Sequence, residues 1–489
     1  MNLVLIITDS QTKSMVGAYG NPKVDTPNLD RLATRGIRFE HAYTSAPVCT
    51  PARGAIFSGM QPAVNGAWAN NMSPQRSIPL MGTIFRQYGY RAAYTGKWHL
   101  DGSEYFGDGQ PGGGFEPNWW FDGYRYAHAI GPEMFATYRK VKTAAELREA
   151  GFTEEKIWGH MVADQAVDFL QQVRDDEPFL LVVSLDEPHG PFVTPPEYWQ
   201  QFESGDIPEP PNYNASVANK PAMQRLQRQQ NGEVPWAKRA AFVNRFYGCN
   251  SYIDREIGRV LDAIEQFHGE DTAVIYTSDH GDMLGAHGMF TKGPMMYEEV
   301  ANVPFIVRLP GGPEGVASEA LVSQIDLLPT LLDLAGIERP ESLHGQSLRP
   351  VFEDPETKLH DHVFVSFNRF AINHDQFGAF YPIRCVRDER HKLAINLFDT
   401  DELYDLVADP YETNNLIDDP AYASVRNQLH ELIVAEMERI RDPFRAFEWA
   451  NRPWNQIREP FYWGGKNRRL PKGFPFEPQV LAAPFKTST

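Results

Sequence analysis

Runs of apolar residues that end abruptly in charged or imidazole side chains constrain the fold of this chain more than any other feature. "NLVLIITD" lies at residues 2–9, "PFLLVVSLDEPHGPF" at 178–192 and "DTAVIYTSDHGD" at 271–282. Such runs are typical of strands in a parallel sheet that is covered on both faces. Helical patterns lie between them, at residues 26–39, 160–173 and 241–267. The alternation predicts an α/β fold with a large, mostly parallel central sheet and helices on both faces.

The pattern changes after about residue 350. "DHVFVSFNRF", "IRCVRDERHKLAINLF" and "ELYDLVADPYETNNL" predict a smaller antiparallel sheet, and "YASVRNQLHELIVAEMERIR" predicts a helix after it. We predict a large domain over residues 1–355, a C-terminal subdomain over 356–440 and an aromatic, proline-rich tail over 441–489. A tail of that length is expected to pack on the surface or on a partner subunit, which would make the protein a homo-oligomer.

Composition excludes several classes of protein. The 489 residues carry a net charge of -18, which argues against nucleic acid as a partner because phosphate binding needs a basic face. Three cysteines cannot form a disulfide framework, and this favours a reducing compartment. "MNLVLIITDS" lacks the features of a signal peptide, and no apolar run is long enough to span a membrane. We therefore expect a cytoplasmic protein that does not enter a membrane.

Polar side chains follow the predicted strands at their carboxyl ends, where open α/β sheets bind ligands. They are Asp9, Lys97, His99, His189, Asp279 and His280. Carboxylates with one imidazole suit a divalent ion such as Ca²⁺, Mg²⁺ or Mn²⁺, whereas a single aspartate after a strand is more often a helix cap or a turn residue. Two ammonium groups, those of Lys97 and Lys292, together with imidazoles beside a metal would suit an anionic tetrahedral group.

The stretch "SAPVCTPARGAIFSG" places Cys49 just before Pro51 and Arg53, at the start of a predicted helix. A free cysteine is most often a small buried hydrophobic residue, and we expect this role for Cys249 and Cys385. The proline and arginine that follow Cys49 indicate a chemical role instead.

These motifs, in this order, resemble the type I, formylglycine-dependent sulfatases of the alkaline phosphatase superfamily. The resemblance covers almost the whole chain and includes "IITDSQ", "CTPARG", "GKWHLDG", "DEPHGPF", "TSDHGDMLGAHGMFTKG" and "ELYDLVADPYETNNL". The C-x-P-x-R motif is its most specific part. The chain is especially similar to bacterial sulfatases that lack a signal peptide.

The resemblance implies an alkaline phosphatase-like fold and a sulfuric ester hydrolase activity. A sulfatase-maturing enzyme would oxidise Cys49 to Cα-formylglycine, whose hydrate attacks sulfur. The implied catalytic residues are Cys49, Arg53, Lys97, His99, His189 and Lys292, with both lysines on sulfate, His99 assisting release of sulfate and His189 as the acid for the leaving group. The implied metal ligands, best suited to Ca²⁺, are Asp9, Gln11, residue 49, Asp279 and His280. Many family members carry an acidic or amide ligand where this chain has Ser10, so either Ser10 or Gln11 would fill that place, and we favour Gln11.

Two other functions compete with the sulfatase hypothesis. A phosphodiesterase or phosphonate monoester hydrolase could use the same site, because tetrahedral geometry does not distinguish sulfate from phosphate. An inactive glycan-binding homologue is the second alternative. For the substrate we expect a sulfated saccharide, and the candidate recognition residues are Trp68, Asn70, Arg369 and His374, which could equally serve packing alone.

Overall fold

The computed structural model describes residues 1–455 apart from 104, 142–143, 175, 203–205, 270 and 376–378. Residues 456–489 of the predicted tail lie outside the described residues, and the domain boundaries at 355 and 440 stay predictions. Among the described residues, no helix is both long and apolar enough to cross a membrane.

Eight strands form a central sheet in the order β4-β3-β5-β1-β6-β7-β2-β8, and four form a second sheet in the order β12-β11-β10-β9. Their bounds are β1 Asn2–Thr8, β2 Ile37–Tyr43, β3 Arg91–Gly96, β4 Trp120–Phe121, β5 Phe179–Ser184, β6 Thr272–Ser278, β7 Phe305–Arg308, β8 Val316–Ser323, β9 Val363–Phe367, β10 Ile383–Arg387, β11 His391–Asn396 and β12 Glu402–Asp405. In the central sheet only β7 runs against its neighbours, and the described strands of the second sheet are all antiparallel. The predicted fold class is confirmed.

Helices cover both faces of the central sheet. The described helices are α1 Pro27–Thr34, α2 Cys49–Ser58, α3 Pro62–Asn65, α4 Met81–Gln87, α5 Gly123–Ile130, α6 Pro132–Tyr138, α7 Ala144–Glu149, α8 Trp158–Gln172, α9 Pro196–Gln200, α10 Ala222–Asn231, α11 Trp236–His268, α12 Glu298–Ala301, α13 Leu327–Leu334, α14 Arg349–Glu353, α15 Ala423–Arg439 and α16 Phe447–Ala450. Alternate residues of β1 face opposite cores: Leu5 packs in the core that α2, α4, α13 and α14 complete, and Ile6 in the core that α1, α8 and α11 complete.

The helix predicted over residues 26–39 is shorter in the structure. It ends at Thr34, and its last predicted residues belong to β2, which begins at Ile37. Gly36 separates the two elements, and a Cβ at this position would lie 2.3 Å from the carbonyl oxygen of Val307. The close approach of β7 therefore requires glycine here and prevents the helix from continuing.

Strand register brings the candidate residues to one edge of the central sheet. Thr8 of β1 pairs with Ser278 of β6, and Gly96 of β3 pairs with Ser184 of β5, so the residues that follow these strands are neighbours. Gly96 has φ of +109°, and a Cβ there would lie 1.8 Å from the Ser184 carbonyl oxygen. Glycine at position 96 thus allows the close contact from which the next residue, Lys97, enters the site.

His287 gives the fold a pH-dependent stability that can be measured. It is fully buried with its ring 4.1 Å from that of Tyr297, and burial, followed by the charges of Lys220 and Lys392, lowers its pKa to about 3. In the unfolded chain the His287 side chain has a pKa near 6.5, so below that pH the unfolded state binds more protons than the folded state. The contribution of the neutral His287 ring to the free energy of unfolding is complete above pH 6.5 and is lost as pH falls towards 3.

Between pH 6 and 4 we expect the free energy of unfolding of the wild-type protein, measured with urea, to fall by up to about 1.4 kcal/mol per pH unit more than that of His287→Phe. Parallel pH profiles for the two proteins would contradict this assignment.

Candidate functional site

Cys49 begins helix α2 and is 2% exposed. Its Sγ lies 3.2 Å from Nε2 of His280 and 3.8 Å from Oδ1 of Asp9. The loops after β6 and β1 supply these two partners. The cysteine side chain thus points to the carboxyl edge of the central sheet rather than into an apolar core.

Four buried side chains converge there in an arrangement that could hold a metal ion. One ligand atom from each of Asp9, Cys49, Asp279 and His280 lies within 4.8 Å of all the others. Oxygens that bind one Ca²⁺ at about 2.3–2.6 Å are at most about 5 Å apart, so the spacing fits a single ion. Nδ1 of His280 lies 2.8 Å from the carbonyl oxygen of Gly281. A proton on Nδ1 that is donated to this carbonyl leaves Nε2 free to act as a ligand.

Arg53 is fully buried between the two carboxylates of this group. Its Nε donates to Oδ2 of Asp279 at 2.9 Å, and its Nη2 donates to Oδ2 of Asp9 at 3.3 Å. Nη1 donates to Ser184 Oγ and to the Lys97 carbonyl. The position of Arg53, one turn after Cys49 on α2, places its charge beside the nucleophile candidate.

Lys97 forms a second buried contact with Asp9. Its Nζ lies 2.7 Å from Oδ2 of Asp9 and 3.0 Å from Oδ1 of Asp186, and it donates to Tyr105 Oη at 2.6 Å. Tyr105 Oη in turn donates to Asp186 and lies 2.9 Å from Nδ1 of His189. One tyrosine hydroxyl therefore connects Lys97, Asp186 and His189.

His99 lies beside the start of α2. Its Nε2 is 2.8 Å from Oδ1 of Asn71, and its backbone carbonyl accepts a hydrogen bond from Thr50 Oγ1 at 3.0 Å. His99 has φ of +58°, an uncommon conformation for a residue other than glycine. Nδ1 of His99 is buried and has no hydrogen-bond partner among the described residues. This nitrogen is available to a ligand.

The structure distinguishes between Ser10 and Gln11. Ser10 Oγ donates to Oδ1 of Asp9 at 2.7 Å and accepts from Lys292 Nζ at 2.9 Å. The amide oxygen of Gln11 instead accepts from Tyr276 and Thr8, and its amide nitrogen donates to Asn250. Gln11 is thus turned away from the four-ligand group, and Ser10 is the neighbour of Asp9 that faces it.

Burial and the surrounding charges set the ionisation of the site. Burial opposes the negative charge of Asp9, but the charge of Lys97 holds its pKa well below the usual range. Burial also opposes the positive charge of His280, yet Asp279 and Cys49 raise its pKa to about 9, so a metal ion bound at Nε2 would displace a proton from that nitrogen.

The pKa values of two further imidazoles are shifted in the opposite direction to that of His280. Burial lowers the pKa of both His99 and His189 well below the usual value. The nearby charge of Lys97 adds to this effect for His99, and that of Lys292 adds to it for His189. Both imidazoles are therefore neutral near pH 7 in the free protein and can accept protons.

A cleft of about 540 Å³ opens on this group. Its lining includes Ser10, His189 and Lys292 together with phenylalanine and amide side chains. A cleft of this size accommodates a small organic ligand.

The four predicted recognition residues are absent from the described lining of the cleft. The Asn70 amide oxygen accepts a hydrogen bond from the backbone N–H of Thr50 at 2.9 Å. It thus satisfies one of the backbone donors in the first turn of α2. Arg369 is already paired with Asp375 and with the Ala371 carbonyl.

The two aromatic candidates contact other rings. The ring of Trp68 packs 5.5 Å from that of Phe444, and that of His374 lies 5.8 Å from that of Phe370. The structure therefore brings the catalytic and metal candidates together, except Gln11, and does not bring the recognition candidates to the cleft.

Sequence reasoning did not identify Asp186, Tyr105 or Gln227 at the site. Asp186 is the second residue after β5, so its position at a strand end, like that of Asp9, could have identified it. Tyr105 lies in the connection between β3 and β4, and Gln227 lies on α10. No motif marks either residue, because only tertiary packing brings them to the site.

Comparisons with known proteins agree with this geometry. The family model described as Sulfatase matches residues 1–337, and one described as N-sulphoglucosamine sulphohydrolase, C-terminal, matches residues 285–439. The chain is 41% identical over 475 residues to the protein named uncharacterized sulfatase YidJ of Escherichia coli (strain K12), which covers 97% of this chain and 94% of that one. The chain belongs to the sulfatase family, whose members are sulfuric ester hydrolases.

Two solved structures share the fold. One is a structure of BT4656 in complex with its substrate D-glucosamine-2-N,6-O-disulfate, with a TM-score of 0.74 and 23% identity over 91% of this chain and 98% of that chain. The other is phosphonate monoester hydrolase of Agrobacterium radiobacter, with a TM-score of 0.73 and 23% identity over 90% of this chain and 96% of that chain. The similar scores show that the fold alone does not separate the two activities.

Proposed function

We propose that the protein hydrolyses the sulfate ester of a sulfated saccharide, with Cys49 converted to Cα-formylglycine by a sulfatase-maturing enzyme. Ca²⁺ is the proposed metal, held by Asp9, residue 49, Asp279 and His280. The observation that carries the proposal is the placement of Cys49 Sγ against both His280 and Asp9. The side chain that maturation would change is the one that enters the four-ligand group.

The formylglycine and the metal ion would supply distinct chemistry. A formylglycine at position 49 supplies, as its hydrate, one hydroxyl that attacks sulfur and a second whose deprotonation releases sulfate. A divalent ion at the four-ligand group supplies Lewis acidity, which lowers the pKa of a hydroxyl and neutralises negative charge.

Arg53 and the two lysines hold positive charge at the reaction centre. Arg53 is fixed by four hydrogen bonds, and it keeps the Asp9 and Asp279 carboxylates in place. Lys97 and Lys292 approach Asp9 from separate elements, at 2.7 and 3.9 Å. Their ammonium groups, already positioned before substrate arrives, bind the oxygens of an anionic ester and stabilise charge that develops on them.

His99 and His189 are the residues that move protons. His99, neutral and with a free Nδ1, accepts the proton that must leave residue 49 when sulfate is released. His189 lies at the cleft end of the Tyr105 network. The negative charge of a bound sulfate ester favours the protonated form of His189, and the protonated ring then donates to the leaving oxygen.

Phosphonate monoester hydrolysis is the second candidate function. It is favoured by one observation, the TM-score of 0.73 to the Agrobacterium enzyme, which is close to the 0.74 of the sulfate-ester complex. The saccharide assignment is supported by the substrate of that complex, D-glucosamine-2-N,6-O-disulfate, which is a sulfated monosaccharide.

Matched esters separate the two functions. We expect kcat/KM for 4-nitrophenyl sulfate to exceed that for 4-nitrophenyl phenylphosphonate by about 100-fold or more, a difference of about 2.7 kcal/mol between the transition states. Both esters carry one negative charge and the same leaving group, so the ratio reports on the reacting atom. Rates are measured on matured protein in Ca²⁺. A ratio below one would replace the sulfatase proposal with the phosphonate one.

A further inference from the structure

The cleft that contains Lys292 has an aromatic wall. Phe192, Phe242, Phe246 and Phe290 all line it. The ring centroids of Phe192 and Phe242 are 5.3 Å apart, and those of Phe192 and Phe246 are 5.9 Å apart. Phe242 is 45% exposed, although a large apolar side chain on a cleft wall is more stable when it is covered. A ligand with an apolar face would cover this surface.

Gln227 lies in the same cleft and has no internal partner. It is 5% exposed, and neither its amide oxygen nor its amide nitrogen has a hydrogen-bond partner among the described residues. A buried amide that is left unpaired is costly, and buried polar groups in native proteins are nearly always satisfied. The side chain therefore has both a donor and an acceptor available for a ligand in the cleft.

The charge of the cleft limits what the ligand can be. Among the described lining residues, Asp282 and Lys292 are the only aspartate, glutamate, lysine or arginine side chains. Lys292 is already directed at Ser10 and Asp9. Arg239 stacks 4.8 Å from the ring centroid of Phe290, and its guanidinium donates to the Asn231 carbonyl. Apart from Lys292, the described lining thus offers one carboxylate, that of Asp282, and no lysine or arginine.

We propose that the part of this cleft formed by Gln227 and the phenylalanines is a subsite for an uncharged ring that bears hydroxyl groups, with Gln227 as a specificity-determining residue. The inference deepens the proposed function and depends on it. The substrate is then a monosulfated neutral sugar, whose hydroxyls both donate to and accept from the Gln227 amide while its apolar face covers the phenylalanines. A uronate or a second sulfate would meet the Asp282 carboxylate and, apart from the Lys292 proposed for the reacting sulfate, no lysine or arginine of the described lining.

The test compares Gln227→Met with Gln229→Met. Methionine keeps the length of the side chain and removes both hydrogen-bonding groups, and Gln229 is an exposed residue of the same helix. Substrates are the monosulfates of galactose and N-acetylglucosamine at each position, the same sugars linked to a uronate, and 4-nitrophenyl sulfate, which has no sugar hydroxyls.

For the best neutral sugar monosulfate we expect Gln227→Met to lower kcat/KM about tenfold, mainly through a higher KM. We expect kcat/KM of Gln227→Met for 4-nitrophenyl sulfate to stay within about twofold of the wild-type value. Gln229→Met should leave kcat/KM unchanged for both substrates. For the wild-type enzyme, kcat/KM for the best neutral sugar monosulfate should be at least about tenfold higher than kcat/KM for the same sugar linked to a uronate.

Three results would overturn the inference while leaving the sulfatase proposal intact: preference for uronate-linked sugars, equal losses on sugar and aryl sulfate in Gln227→Met, or turnover of aryl sulfate alone. Failure of every sulfate ester on matured protein would contradict the proposed function itself. Binding of the neutral sugar monosulfates, measured by calorimetry, then still tests the subsite. We expect the wild-type protein to bind them and Gln227→Met to raise the Kd about tenfold. Absence of binding to wild type would overturn it.

Discussion

Replacement of Cys49 by alanine is expected to lower kcat on a sulfate ester by about 10⁴-fold or more while the protein stays folded. The substitution removes the atom from which the nucleophile would be made, and the remaining charges of Arg53, Lys97 and Lys292 can bind the ester but cannot attack it. Alanine is a strong helix former and fits at the first position of α2, so unfolding by urea should change little. The measurement is kcat on 4-nitrophenyl sulfate with saturating Ca²⁺.

Cys385→Ala is the matched control. Cys385 lies in β10, is 1% exposed and packs against apolar side chains of the second sheet. This variant should keep full kcat, although it loses a small amount of buried surface. If Cys49→Ala retained more than about a tenth of wild-type kcat, the nucleophile would lie elsewhere.

Replacement of Arg53 by methionine is expected to cause the largest loss of stability that a single substitution at the site can produce. Arg53 and its two partners, Asp9 and Asp279, are all fully buried. Removal of one partner from a buried ion pair leaves an uncompensated charge, which costs about 3–5 kcal/mol. The loss is measured by urea unfolding in EDTA. Saturating Ca²⁺ should recover part of it, because the ion would bring positive charge to the same two carboxylates.

Arg31→Met provides the comparison. Arg31 pairs with Asp262 at 2.6 Å, but the two side chains are 36% and 67% exposed. Loss of such a surface pair is expected to cost less than about 1 kcal/mol. A loss for Arg53→Met no larger than that for Arg31→Met would show that Arg53 does not compensate the two buried carboxylates.

The central sheet could be predicted from the sequence where its strands are buried on both faces. β1, β5 and β6 are continuous apolar runs because helices cover both of their surfaces. The helix predicted over residues 26–39 takes in the first three residues of β2, whose sequence, IRFEHAY, mixes buried and partly exposed positions, and β7 has only four residues. These strands are stabilised by pairing with distant segments, which local patterns do not report.

The reaction centre could be predicted because parallel strands place their carboxyl ends at one edge. Asp9 and Asp279 follow paired residues of β1 and β6, and the structure places them on either side of Arg53. The orientation of Gln11 could not be predicted, because it depends on Tyr276 and Asn250, which lie far away in sequence. The position of the four predicted recognition residues outside the described lining of the cleft could not be predicted for a similar reason: an aromatic or arginine residue in a loop gives no indication of whether it packs or faces a cleft.

Peptide mass spectrometry across residues 45–59 tests the central claim most directly, because that claim concerns the chemical identity of residue 49. The protein is produced together with a sulfatase-maturing enzyme, and a peptide of another sulfatase that the same enzyme converts serves as the control. We predict that the Cys49 peptide has lost its sulfur and carries an aldehyde that a hydrazide traps. An intact thiol at Cys49, with the control peptide converted, would contradict the account, and the four-ligand group would then need a function that does not involve formylglycine.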